Sequence, residues 1–237
     1  YNLVDKREIV IKNNGDEDIR LTIVKESLGD LIDVPNTILI EAGEDGIIEL
    51  KITSDSRELI AGKILLKYKG VVVKEIDVIL NTQSENFLFD SSINLADVSR
   101  IIGAGDLLRA QIDLLQVGRP EKVDVVATYI IKDFAGVTYL EESETFFVEE
   151  SKDFVKEFST EGLEMPPGKY ILGMELVYPG AFATSSTQFV IEEKGLLGIS
   201  GLGRTEGLII GGVLLFIVIL TVIILKMRGG KGKKGKK

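Results

Sequence analysis

Cysteine, histidine and tryptophan are absent from this chain of 237 residues. Without thiols or imidazoles there is no disulfide, no thiolate nucleophile, no Ser-His-Asp relay and none of the usual zinc, haem or iron-sulfur ligands. Proline is scarce, at 5 residues, and aromatics make up only 7%. Hydrolytic, redox and zinc chemistry are poor readings of such a chain, and no cofactor is expected. Its length suffices for one or two domains with buried cores.

Charge is unevenly placed. All 37 acidic residues lie at or before Glu206, whereas Lys226, Arg228, Lys231, Lys233, Lys234, Lys236 and Lys237 close the chain. Residues 1–206 hold 21 Lys and Arg, and so carry a net charge of −16. Phosphate contacts need clustered cations, so an acidic body argues against nucleic acid as a partner.

Residues 207–225 contain no charge and a single polar side chain, Thr221. As a helix these 19 residues would reach roughly 28 Å, close to the thickness of a bilayer's hydrocarbon core. The pattern predicts a transmembrane helix over 207–226. Lys226 and Arg228 follow it directly, which places the basic tail 227–237 in the cytoplasm and the body outside. Those cations are also drawn to anionic headgroups, so the bilayer itself is an expected partner. Gly207 and Gly211 form a small-xxx-small pair suited to helix contact. The chain starts at Tyr1 with no signal segment, which implies a removed leader or a longer parent protein.

Period-two alternation runs through the body. Ile19, Leu21 and Ile23 alternate with Arg20 and Thr22, and Ile48, Leu50 and Ile52 alternate with Glu49 and Lys51. Half-buried strands make this pattern. Further strands are expected at 8–13, 37–41, 62–69 and 71–80, and this density of short strands predicts a β-sandwich over 1–84. Residues 81–86 are poor in β-branched side chains and mark a domain boundary. Beyond it, Leu108, Ala110, Ile112 and Leu114 form one inward row, and Val123, Val125, Ala127, Tyr129 and Ile131 another. With strands at 145–149, 154–159, 169–178 and 187–192, they predict a second sandwich over 85–194, followed by a glycine-rich linker over 195–206.

The two blocks end alike. Gly62 opens a strand that closes at Tyr68, Lys69 and Gly70, and Gly168 opens one that closes at Tyr178, Pro179 and Gly180. The glycine-to-tyrosine spacings differ by an even number, so both tyrosines fall on the same relative face. Each hairpin leads into a final apolar strand, a repeated terminal unit. The segment Met165, Pro166, Pro167, Gly168, Lys169, Tyr170 resembles the turn before the penultimate strand of immunoglobulin-like and fibronectin-like sandwiches. In such corners a tyrosine hydroxyl bonds to backbone just upstream.

On these residues the chain resembles archaeal or bacterial cell-surface proteins built of tandem immunoglobulin-like domains, of the cell-adhesion-related and surface-layer-associated kind. The resemblance implies an all-β chain of two tandem immunoglobulin-like sandwiches with a single C-terminal transmembrane helix. It implies an adhesive or scaffolding role with no catalytic residues and with a protein partner at the surface. The alternatives are a membrane-proximal stalk of a longer protein and an accessory subunit of a secretion or pilus machine. No LPxTG-like sorting motif and no Asn-x-Ser/Thr sequon accompany it.

Other candidates read more weakly. Gly103, Ala104, Gly105 and Asp106 lack the third glycine of a dinucleotide loop, and a strand follows them. Residues 13–18 and the run Glu141, Glu142, Ser143, Glu144 gather oxygen ligands but lack the spacing of a calcium loop. Glu149, Glu150 and Asp153 suggest paired carboxylates, yet adjacency in sequence does not set them across a cleft. Phe146, Phe147, Phe154 and Phe158 are expected in the core. If Phe146 and Phe154 point outward, they make a partner surface.

Overall fold

The computed structural model describes residues 3–54, 59–117 and 121–193. Fifteen strands account for most of them: β1 Leu3–Lys12, β2 Ile19–Glu26, β3 Ile32–Asp33, β4 Thr37–Ile40, β5 Asp45–Ser54, β6 Ile60–Tyr68, β7 Val71–Leu80, β8 Phe89–Leu95, β9 Ile101–Gly103, β10 Leu107–Gln116, β11 Val123–Asp133, β12 Thr138–Val148, β13 Ser151–Ser159, β14 Gly168–Tyr178 and β15 Ala181–Glu192. Among the described residues no helix is long and apolar enough to cross a membrane. The span 207–225, with Gly207 and Gly211, lies outside the described residues, as do Lys226, Arg228 and the tail.

Four sheets pair into two sandwiches. In the first, β1-β5-β3 faces β4-β2-β6-β7; in the second, β13-β10-β8 faces β12-β11-β14-β15-β9. Alternation builds each core. Leu21, Ile23, Ile48, Leu50, Ile64 and Leu66 fill the first, while the rows Leu108 to Leu114 and Val125 to Ile131 fill the second with Phe89 and Phe158. Strand order repeats: β4-β2-β6-β7 corresponds to β12-β11-β14-β15, and the pair β1-β5 corresponds to β10-β13. Three strands stand outside the correspondence: β3 beside β5 in the first sandwich, and β8 and β9 in the second. β8 flanks β10 in the second sandwich, and among the described residues nothing flanks β1 in the first.

The two terminal hairpins turn by different chemistry. Lys69 and Gly70 both have positive φ, 49° and 83°, which gives the right-twisted two-residue turn favoured between antiparallel strands. Pro179 followed by Gly180 at φ 77° fits a type II turn, where proline fixes the first corner and glycine takes the left-handed one. Tyr68 packs on the first core and Tyr178 lies in the second.

Residues 81–86 connect the sandwiches by lying along β15. Thr184 N–H donates to the Thr82 carbonyl at 2.7 Å, and Ser84 N–H donates to the Phe182 carbonyl at 2.9 Å. The Thr82 N–H in turn donates to Thr184 Oγ1 at 2.6 Å. The connection is thus tied to β15 by an isolated bridge at Gln83 and Ala183, and both sandwiches belong to one compact unit that ends at Ile191.

Candidate interaction surfaces

A small apolar cluster joins the sandwiches. Leu59 and Ala61 from the first pack on Phe134 and Ile171 from the second, all buried, with Ile79 beside them. Polar bonds surround it. Leu59 N–H donates to Glu175 Oε1 at 2.7 Å, Lys132 Nζ donates to the Leu59 carbonyl, and Ser27 Oγ donates to the Ala135 carbonyl at 2.7 Å. Lys169 and Asp77 form an ion pair at 2.6 Å. Gly173 allows the close approach, because a Cβ there would lie 2.0 Å from Leu59 Cδ2. Sequence reasoning missed this junction. Its signals were a glycine in the middle of β14 and the consecutive Tyr170, Ile171 and Leu172, all buried, since a strand covered on both faces loses its alternation.

Tyr170 sits where its turn places it. Its hydroxyl donates to the Pro166 carbonyl, and its ring stacks on Phe189 and meets Tyr139 edge-on, at 5.6 and 5.4 Å between centroids. Pro167 and Gly168 carry the chain from that carbonyl into β14. Burial, together with neighbouring Tyr139 and Asp133, pushes the phenol up to about 12. Replacing Tyr170 by Phe removes one hydrogen bond and leaves a carbonyl unpartnered. The expected loss in a urea unfolding experiment at pH 7 is about 1 kcal/mol. Tyr178 accepts the Leu88 N–H at 3.0 Å and meets Phe89 edge-on at 5.1 Å, which fixes the start of β8.

Phe146 and Phe154 keep to the core side of their strands. Both are half-buried against the second core and meet each other edge-on at 5.7 Å. Phe146 pairs with Val125 of the inward row, so the pleat turns its neighbour Phe147 outward. Phe147 is 53% exposed, with Lys122 Nζ 3.9 Å above its ring. Val126 and Val177, a cross-strand pair, lie exposed on the same outer face.

Edge strand β13 turns Lys152 and Lys156 inward, alternating with Phe154 and Phe158. Lys156 Nζ lies 3.3 Å from Glu144 and 4.6 Å above the Tyr129 ring, and Tyr129 donates to Glu144 at 2.8 Å. Charges turned inward on an edge strand discourage addition of a further strand.

The acidic candidates disperse. Glu141, Glu142 and Glu144 lie on β12 rather than in a turn, and the pleat sends Glu141 to the face opposite the other two. Asn13 is buried and spends its amide on the carbonyls of Glu17, Ile40 and Glu41. Glu149 and Glu150 form the exposed turn between β12 and β13, where Glu150 has φ 68°. Gly103 and Asp106 close the turn between β9 and β10 through a 2.8 Å bond from Gly103 N–H to the Asp106 carboxylate. Among the described residues no three acidic side chains converge as a metal site requires. A hollow of about 310 Å³ is lined by Asp90, Ser92, Asp113, Ser151 and Asp153; Asp113 in it accepts from Ser92 and Gln111.

No protein-family model matches the chain, and neither does any curated protein. Solved structures similar to it include the CARDB domain of a Pyrococcus furiosus protein in complex with di-metal ions, at 12% identity and TM-score 0.31 over 44% of this chain and 94% of that domain. A DUF3823 family protein from Parabacteroides merdae aligns at 12% identity and TM-score 0.28 over 79% of this chain and 98% of its own. Red sea bream transglutaminase aligns at 15% identity and TM-score 0.31 over 81% of this chain, which spans 30% of that enzyme. The all-β class rests on the strands and cores described above.

Proposed function

We propose that the chain is a non-enzymatic surface module, an adhesive or scaffolding arm held to the membrane through residues 207–226. The observation that carries this reading is the junction at Leu59, Gly173 and Ile171. It makes the two sandwiches one stiff body, which suits holding a partner at a fixed distance from a surface. The uncharged span and the cations Lys226 and Arg228 support an anchor with the body outside, and the absence of histidine and cysteine supports a binding role over catalysis. The same stiffness suits a membrane-proximal stalk.

The test is proteinase K applied to intact cells carrying the full chain, with antibodies to the body and to the tail, alongside gentle cross-linking in native membranes. Expected are loss of the body, survival of the tail, and a discrete cross-linked complex with a second protein. A tail digested while the body survives, or a chain recovered free of membranes, would overturn the anchored arrangement. A chain that cross-links to nothing would overturn the scaffolding role.

A further inference from the structure

The turn 13–18 between β1 and β2 holds the one place in the sequence where asparagine precedes glycine, Asn14 followed by Gly15. Every other asparagine precedes leucine, threonine, phenylalanine or a second asparagine. Glycine has no Cβ to keep its amide nitrogen away from the preceding side chain, and its backbone reaches conformations closed to other residues. Asn14 and Gly15 are both exposed, so this step of the chain is open to water. Asn13, just before them, is buried at 4% exposure. Its side-chain amide donates to the carbonyls of Glu17, Ile40 and Glu41, and its own N–H donates to the Glu44 carbonyl at 3.0 Å. Its Oδ1 accepts the Gly15 N–H, also at 3.0 Å.

We infer that Asn14 is a self-modification site, converted to aspartate and isoaspartate with water as co-reactant, and that Asn13 is the positioning residue that sets its rate. The Gly15 amide nitrogen, on losing its proton, attacks Asn14 Cγ. A C–N bond forms and closes a cyclic succinimide, the bond from Cγ to the side-chain nitrogen breaks, and ammonia leaves with the proton. Water then opens the ring at one carbonyl or the other. One opening gives aspartate; the other gives isoaspartate, in which the main chain runs through the former side chain. No electrons are transferred, and the new oxygen comes from water.

The bond from Gly15 N–H to Asn13 Oδ1 opposes the first step in two ways. It holds the proton that must leave, and it aims the N–H at Asn13 instead of leaving the nitrogen free to turn toward Asn14 Cγ. The acceptor cannot drift, because three backbone carbonyls grip the other end of the same amide. The product places a new carboxylate in one turn with Asp16, Glu17 and Asp18, and the isoaspartate form lengthens the backbone between β1 and β2. The reaction needs only this turn, so it proceeds whether or not the chain is anchored.

The test incubates the full chain in mildly alkaline buffer made with water labelled in heavy oxygen, followed by trypsin and mass spectrometry. Cleavage after Lys12 and Arg20 yields one peptide with both asparagines, and its fragments tell Asn13 from Asn14. Labelled aspartate and isoaspartate are expected at Asn14, ahead of any change at Asn81 or Asn94, which are also exposed. Asn13→Ala is expected to speed the reaction about fivefold, the factor that one ordinary hydrogen bond supplies. Asp18→Ala removes the carboxylate that accepts the Ala42 N–H at 3.0 Å, which loosens the same turn without touching the Gly15 bond, and is expected to leave the rate unchanged. Hydrogen exchange in the parent gives a reading that needs no variant: the Gly15 amide should exchange about fivefold more slowly than in the urea-unfolded chain. Asn14 reacting no faster than Asn81 and Asn94 would overturn the site. An Asn13→Ala rate equal to that of the parent or matched by Asp18→Ala, or a Gly15 amide that exchanges as in the unfolded chain, would overturn the role of Asn13.

Discussion

Gly173→Val is expected to uncouple the two sandwiches while leaving both cores folded. The new Cβ would meet Leu59 Cδ2 at 2.0 Å and Cγ at 3.2 Å, so Leu59 must leave its site. It cannot simply slide, because its N–H is held by Glu175 and its carbonyl by Lys132. Displacing it gives up a buried leucine, worth about 1.5–3 kcal/mol, and loosens two bonds to charged groups, each worth about 1.5–3 kcal/mol. The coupling between the sandwiches is therefore expected to fall by about 3 kcal/mol or more. In calorimetry the parent melts in one transition and the variant in two, and small-angle scattering of the variant broadens. Leu59→Ala added to Gly173→Ala is expected to restore part of the coupling, since the smaller side chain clears the clash. A variant that still melts in one unshifted transition would show that the junction does not couple the sandwiches, and the stiff-arm reading would fall with it.

The strands themselves were legible because each sandwich buries one face. The rows Leu108 to Leu114 and Val123 to Ile131 could be read directly, and β7 was bounded at Val71 and Leu80. Where a second environment intrudes, the pattern fades. β12 was expected only from Thr145, because Glu141, Glu142 and Glu144 look like a solvated turn; two of them are instead set on the side where Lys156 faces inward. β8 was missed because Asp90, Ser91 and Ser92 interrupt its apolar residues. Its inward residues Phe89, Ile93 and Leu95 share one parity, broken only by Ser91, and were the available signal.

The surfaces were harder to read than the cores. The sequence leads to the core for all four phenylalanines, yet Phe147 turns outward, because a shift of one position in a strand moves a side chain through the sheet. Following the inward row Val125, Ala127, Tyr129 across to its partners would have settled it, but pairing register is not written in either strand alone. Residues 81–86 look like a linker by composition because Thr82 is their one β-branched side chain. Their backbone nonetheless completes the edge of β15, and such bonds carry no side-chain signature.

Raising the pH above 10 is expected to remove several kcal/mol of stability. Burial, then Tyr139 and Asp133, push Tyr170 up to about 12. Burial and the bond to Glu144 push Tyr129 up further, and burial with Asp133 raises Tyr139. An unfolded tyrosine releases its proton near pH 10, so above that pH the folded chain binds more protons than the unfolded one. Stability is then fully present below about pH 10 and falls as pH rises toward 12, by about 1.4 kcal/mol per pH unit for each such phenol. Lys63, raised by its bond to Glu75, adds in the same direction. Tyr170 and Tyr129 together would remove about 5 kcal/mol by pH 12, comparable to the whole stability of many domains. Urea midpoints measured from pH 7 to 12 should therefore stay level and then drop steeply. Tyr170→Phe starts about 1 kcal/mol lower at pH 7 but loses one of the titrating groups, so its curve should cross the parent's between pH 10 and 12. Parallel curves would mean that Tyr170 is not held protonated by the fold, and that its value at the corner lies in ring packing on Phe189 and Tyr139.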